Sequence, residues 1–282
     1  LAGSYLPATA ARRRGIVIFC HELRGDQTTA LAFTSGLRDA GFDVLAFDFR
    51  NHGESAPNGM HRLLPWATVG EAADIQAAID FCCRREGGGA GPIMLFGLSR
   101  GASAALCVAA SDRRVRAAVL DSLCPTEPVQ LFLIRRFMHL HVRALPQLAR
   151  LPDWMFTMLA FWANQIIQRK HGCRLLHCDR AARRLRTPVL LIHGGRDGFA
   201  PLEVICGFRK RMRSRPRLWV VPEARHNETV FEAGGEYRDR VVRFLARHAD
   251  ASPDGHRLPA KPLATSLLPA DNNLCDAEPV AV

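Results

Sequence analysis

Gly97-Leu98-Ser99-Arg100-Gly101 joins two segments of different character. Before it runs Gly91-Pro92-Ile93-Met94-Leu95-Phe96, a short apolar stretch opened by Gly and Pro, which predicts a buried strand. After it, Ala102-Ser103-Ala104-Ala105-Leu106-Cys107-Val108-Ala109-Ala110 is rich in small residues and predicts a helix lying close on a sheet. Strand, tight turn and helix, with Gly on both sides of Ser99, form the setting in which a serine hydroxyl is presented as a nucleophile. The chemistry accounts for the glycines. A sharp, strained turn needs neighbours with minimal side chains if the hydroxyl is to stand clear.

Two further segments supply partners for such a serine. Thr187-Pro188-Val189-Leu190-Leu191-Ile192-His193-Gly194-Gly195-Arg196-Asp197 reads as a strand entering a glycine turn that ends on a carboxylate. Arg217-Leu218-Trp219-Val220-Val221-Pro222 reads as another strand, and the loop after it carries His226. In this order and context the chain resembles the α/β-hydrolase superfamily, whose catalytic groups follow one another as nucleophile, acid and His. Phe47-Asp48-Phe49-Arg50-Asn51-His52-Gly53-Glu54-Ser55 resembles the loop after the strand that precedes the elbow in sequence, and the resemblance spans roughly residues 1–248.

The resemblance implies a catalytic triad of Ser99, Asp197 and His226, with no cofactor. Ser99 would attack an acyl carbonyl, His226 would relay its proton, and Asp197 would fix the imidazole tautomer. Asp121, at the end of an earlier strand, is the rival for the acid, and the turn around Asp197 matches the commoner arrangement better. The oxyanion donors implied are the backbone N–H groups of Arg100 and Leu23. The family usually has His-Gly where this chain has His21-Glu22, so the chain departs from the pattern there and places a carboxylate beside the site.

Strand signals fall at 15–20, 43–49, 92–96, 115–120, 188–193 and 217–221, with another at the very start of the chain. Most are continuous apolar runs, as expected of parallel strands covered on both faces. Helical signals lie between them, including 28–40 and 71–85, and 235–249 closes the domain. The alternation predicts a doubly wound, mostly parallel α/β sheet over residues 1–250. It is interrupted at about 122–186, where only helical signals occur and where the family inserts a cap. The run from Trp154 to Trp162 in that insertion would be apolar on nearly every side of a helix. It is expected to pack over the sheet, with a surplus lining an acyl pocket. Residues 251–282 are rich in Pro and Ala without periodicity and predict a disordered tail.

Composition narrows the function. The net charge is +11, but the excess is mostly Arg scattered along the chain, and no nucleic-acid motif accompanies it. The cluster of Arg209, Lys210, Arg211, Arg213, Arg215 and Arg217 reads as a solvated face. Nine cysteines form no spaced framework, and an odd count predicts a reducing, cytoplasmic setting. His171, Cys173, His177 and Cys178 match no standard zinc-ligand spacing, so no metal is expected. The chain begins at Leu1, which predicts a missing N-terminal stretch and leaves any membrane contact to lie upstream.

The expected activity is hydrolysis of a small-molecule carboxylic ester with an apolar, medium or long acyl chain. Two alternatives stand beside it. One is a peptidase of the serine aminopeptidase-like branch, with Glu22 reading a free amine; the other is a catalytically silent hydrolase fold acting as a binding module. Composition and spacing are silent on oligomeric state.

Overall fold

Residues 1–56, 64–85, 91–141, 152–250 and 278–281 are described in the computed structural model. The sheet is built from apolar runs: β1 (Ala2–Leu6), β2 (Gly15–Cys20), β3 (Phe42–Phe47), β4 (Ile93–Leu98), β5 (Val115–Asp121), β6 (Val189–Gly194), β7 (Arg217–Val221) and a short β8 (Glu278–Ala281). Their order across the sheet is β7-β6-β5-β4-β2-β3-β1-β8. The ladders from β7 to β3 are parallel, whereas β1 runs antiparallel to β3, and β8 antiparallel to β1. Every residue of β2, β3, β4 and β6 is buried, as two-sided helical cover requires.

The strand alternation sorts side chains into two cores. Ile16, Ile18 and Leu95 face α2 (Val69–Arg85) and α3 (Arg100–Ala109) through Ile75, Ile79 and Leu106. Val17, Phe19, Met94 and Phe96 face the other way, onto Phe33, Tyr237, Val241 and Leu245. Those partners come from α1 (Ala30–Phe33), a four-residue helix, and α8 (Thr229–Ala249). Each such fully buried side chain contributes about 1.5–3 kcal/mol of transfer free energy. Between β5 and β6 lie α4 (Thr126–His141), α5 (Asp153–His171) and α6 (Cys178–Arg184), and α7 (Leu202–Arg211) follows β6.

Three expectations are corrected. The helix predicted over 28–40 shortens to a 3-10 turn at Gln27–Thr29 and to α1, because Thr34 leaves helical geometry at φ −102°, ψ 11° and Gly36 turns at φ +78°. In α5, only Phe156 of the 154–162 run is buried; the large apolar residues around it point away from the sheet. Of the tail, 251–277 and 282 lie outside the described residues, and Glu278–Ala281 adds an edge strand instead of staying irregular. Pro279 is tolerable there because, among the described residues, β8 is the outermost strand of the sheet. Among the described residues Cys20, Cys83, Cys107, Cys124, Cys173, Cys178 and Cys206 are free thiols.

Candidate active site

The chain runs from β2 outward to β3 and then crosses back to β4, so β2 and β4 are neighbours with diverging connections. In open α/β sheets, the crevice at such a switch point is where ligands bind. Register pairs Cys20 with Gly97, so the loop after β2 and the turn after β4 emerge side by side. Ser99 occupies that turn at φ 51°, ψ −112°, an unusual conformation for a residue with a side chain. The flanking glycines are required by space. A Cβ on Gly97 would lie 2.5 Å from Cα of Ala102, and one on Gly101 would lie 2.1 Å from the Cys20 carbonyl oxygen.

Ser99, His226 and Asp197 come together from three loops. Ser99 Oγ is 2.8 Å from His226 Nε2, and His226 Nδ1 is 2.6 Å from Asp197 Oδ2. The other oxygen, Oδ1, accepts the N–H groups of Phe199 and Ala200, each at 2.9 Å. Burial pushes the Asp197 carboxyl up, but its hydrogen bond and charge interaction with His226, the Ala200 N–H and His193 outweigh it, and the group sits below its ordinary value. A carboxylate held ionised against Nδ1 keeps that nitrogen protonated and leaves Nε2 as the acceptor facing the serine hydroxyl. His193, buried beneath, donates from Nε2 to the Ala200 carbonyl at 2.7 Å and so braces the same turn.

Asp121, the rival acid, is engaged elsewhere. Its Oδ2 accepts from Thr229 Oγ1 at 2.5 Å and Tyr237 Oη at 2.6 Å, and its Oδ1 accepts from Ser122 Oγ at 3.0 Å. Burial lifts this carboxyl to about 6 despite those three donors. Ser122 Oγ in turn accepts the Asn227 N–H at 3.1 Å, so Asp121 ties the start of α8 and the loop carrying His226 to the end of β5.

The loop after β2 has its own fixed chemistry. His21 Nε2 accepts the Phe49 N–H at 3.0 Å, which makes Nδ1 the protonated nitrogen, donating to the Glu22 carbonyl at 2.7 Å. Burial lowers His21 to about 3, so it is a neutral strut. Leu23 lies in the turn closed by the Gly25 N–H on the Glu22 carbonyl at 3.2 Å. Arg100 heads α3, so its N–H has no acceptor within the helix. The Glu22 carboxyl folds back over Gly25, where a Cβ would be 2.5 Å from Cδ. Its Oε1 is 3.4 Å from Thr29 Oγ1, and burial raises its pKa.

One part of the site carries a local sequence signal that says nothing of its role there. Thr68-Val69-Gly70-Glu71 is a capping box: Glu71 Oε2 accepts the Thr68 N–H at 2.7 Å and Thr68 Oγ1 at 2.5 Å. The same carboxylate pairs through Oε1 with the buried guanidinium of Arg100. One turn on, Asp74 takes Arg50 from the loop after β3, at 2.6 Å from Nη2. The S/T-x-x-E pattern is legible in the sequence; its ion pair to Arg100 is not. A ring wall completes the surroundings of His226, with Phe199 5.3 Å from the imidazole and stacked at 6.5 Å on Trp66. Among the described residues no group of three or more His, Cys, Asp or Glu is arranged to hold a metal ion.

Comparison with known proteins agrees with this architecture. An uncharacterized protein of Escherichia coli O157:H7, YfhR, is 24% identical over 255 residues, covering 87% of this chain and 76% of that protein. An esterase of Pyrococcus furiosus superposes with a TM-score of 0.59 at 23% identity, over 84% of this chain and 83% of its own. A monoacylglycerol lipase of Paleococcus ferrophilus gives 0.59 at 20% identity, over 87% and 98% respectively. These solved structures share the fold. The family model for alpha/beta hydrolases matches residues 17–244, and the chain belongs to the alpha/beta hydrolase family.

Proposed function

We propose that this chain is a serine hydrolase that cleaves carboxylic esters through an acyl-enzyme. The observation that carries the reading is the continuous relay from Ser99 Oγ through His226 to Asp197, at 2.8 and 2.6 Å. Ser99 Oγ attacks the acyl carbonyl as His226 Nε2 takes its proton. The oxyanion is met by the N–H groups of Arg100 and Leu23. His226 then returns the proton to the departing alcohol oxygen, leaving Ser99 acylated. Water, deprotonated by the same imidazole, attacks the acyl-enzyme, releasing the carboxylic acid and restoring the serine.

Two fold relatives described as an esterase and a monoacylglycerol lipase support an ester substrate. The Phe199–Trp66 wall beside His226 supports an apolar acyl group, a role the sequence assigns to the 154–162 run. A peptidase reading would set the Glu22 carboxylate against an amine; Oε1 takes Thr29 Oγ1 at 3.4 Å, while Oε2 is buried without a hydrogen-bond partner among the described residues, so substrate choice is decided by assay.

A series of nitrophenyl esters of rising chain length, run beside amino-acid nitroanilides, tests the choice. Burial at about 0.8 kcal/mol per methylene predicts kcat/KM rising about fourfold per methylene until the pocket fills. Glu22→Gln should leave that series unchanged. Nitroanilide cleavage that collapses in Glu22→Gln, with no chain-length trend among esters, would reverse the reading.

A further inference from the structure

The roll of α5 is inverted relative to an ordinary surface helix. Its polar side chains do the inward holding. Asn164 and Gln130 of α4 exchange both amide hydrogen bonds, Gln130 Nε2 to Asn164 Oδ1 at 2.7 Å and Asn164 Nδ2 to Gln130 Oε1 at 3.0 Å. Gln168 Oε1 accepts the Leu175 N–H at 2.9 Å. At the other end Asp153 pairs with Arg135, whose guanidinium lies 5.3 Å from the ring centre of the buried Phe156. A reciprocal amide pair fixes rotation about the helix axis, so the outer face cannot turn inward without leaving the buried Gln130 amide and the half-buried Asn164 amide unpaired.

That outer face is apolar. Trp154, Met158, Leu159, Phe161, Trp162 and Ile166 are each between 51% and 64% exposed. Positions 154, 158, 161, 162 and 166 fall at i, i+4, i+7, i+8 and i+12, one stripe along the helix. Isolated exposed apolar residues are ordinary, but a continuous aromatic stripe marks an interaction surface.

Charge selects the occupant. Residues 126–184, which run from α4 to α6, hold ten Lys or Arg against three Asp or Glu, a net +7 of the chain's +11. Arg169 and Lys170 stand exposed at the C-terminal end of the stripe itself. A second copy of this chain would bring the same positive insertion against itself, whereas an anionic surface is attracted. We infer that α5 lies flat on anionic lipid bilayers, with Trp154, Phe161 and Trp162 entering the headgroup–acyl boundary and Arg169 and Lys170 meeting headgroups. Aromatic residues on one face with basic residues at its margin are the composition of helices that lie in a membrane interface. Among the described residues no helix is long and apolar enough to cross a membrane. The inference is independent of the proposed ester hydrolysis.

Co-sedimentation with phosphatidylcholine vesicles, with and without phosphatidylserine, tests it on the full chain. The wild type should partition onto the phosphatidylserine vesicles with a blue shift of tryptophan emission, and more weakly onto phosphatidylcholine alone. The triple variant W154Q/F161Q/W162Q should bind at least about tenfold more weakly. R169E/K170E should lose about tenfold on the anionic vesicles and little on the neutral ones. Both variants change exposed positions, so their thermal unfolding should match the wild type. Wild-type protein that sediments with neither vesicle, or variants that bind as the wild type does, would overturn the assignment. So would a dimer in solution that the triple variant dissolves while no vesicle is bound, since a second copy would then be the occupant.

Discussion

Glu71 holds the guanidinium of Arg100, the residue directly after Ser99, with side chains only 5% and 6% exposed. One carboxylate thus serves two elements: Oε2 caps α2 through Thr68, and Oε1 neutralises a charge buried under the elbow. The pair anchors the first residue of α3 to the start of α2, and the position of Ser99 depends on both.

Glu71→Ala should therefore destabilise the fold by about 3–5 kcal/mol, because it strands a buried cation and uncaps α2 together. Adding Arg100→Met should recover the part due to the stranded cation, while the loss of the α2 cap through Thr68 remains. Denaturant midpoints of the single and double variants decide it. A single-variant change below about 1 kcal/mol would mean that Arg100 finds another partner or water.

The elbow glycines make a steric prediction with an internal control. A methyl at Gly101 would sit 2.1 Å from the Cys20 carbonyl oxygen, and no side chain can move to relieve it. Gly101→Ala should cost about 2 kcal/mol or more and lower esterase activity by displacing the β2 loop. At Gly207, within α7, the space a methyl would take is open, with nothing within 4 Å. Gly207→Ala should stabilise by about 0.5–1 kcal/mol. Equal effects of the two changes on chemical denaturation would refute the packing around Gly101.

The two buried acids should separate by assay. Asp197→Asn should lower kcat about 10⁴-fold by releasing the imidazole tautomer, while Asp121→Asn should leave kcat within about tenfold, since Asp121 acts only through the loop that carries His226.

Stability against pH should show the opposite ranking. The Asp121 carboxyl is raised from 3.8 to about 6 on folding, so its neutral form contributes stability that is complete below about pH 4 and lost as pH rises through 6. That amounts to about 3 kcal/mol at most. Thermal unfolding of the wild type should thus fall more steeply between pH 4 and 7 than that of Asp121→Asn. Parallel curves would show that Asp121 is ionised in the fold at all these pH values.

Much of this is legible from residues near one another in sequence. The strands 15–20 and 217–221 have the predicted bounds, because uninterrupted apolar runs closed by turn residues leave little freedom. Ser99, Asp197 and His226 stand out as candidates because each follows a strand, and the parallel sheet brings such ends to one edge. What is not legible depends on partners far along the chain. The sequence of α5 reads as apolar on nearly every side and leaves open which side turns inward, which is set by Asn164 meeting Gln130, 34 residues earlier. The tie of Asp121 to Tyr237 spans 116 residues, and no local pattern announces it.

The central claim is that Ser99 is an activated nucleophile, and covalent labelling with a fluorophosphonate followed by peptide mass spectrometry tests it most directly. The wild type should take up one label per chain, on the peptide containing Ser99. His226→Ala should slow the labelling by about 10⁴-fold or more, and Ser99→Ala should abolish it. A wild-type chain that stays unlabelled, or a label that persists in Ser99→Ala, would contradict the account.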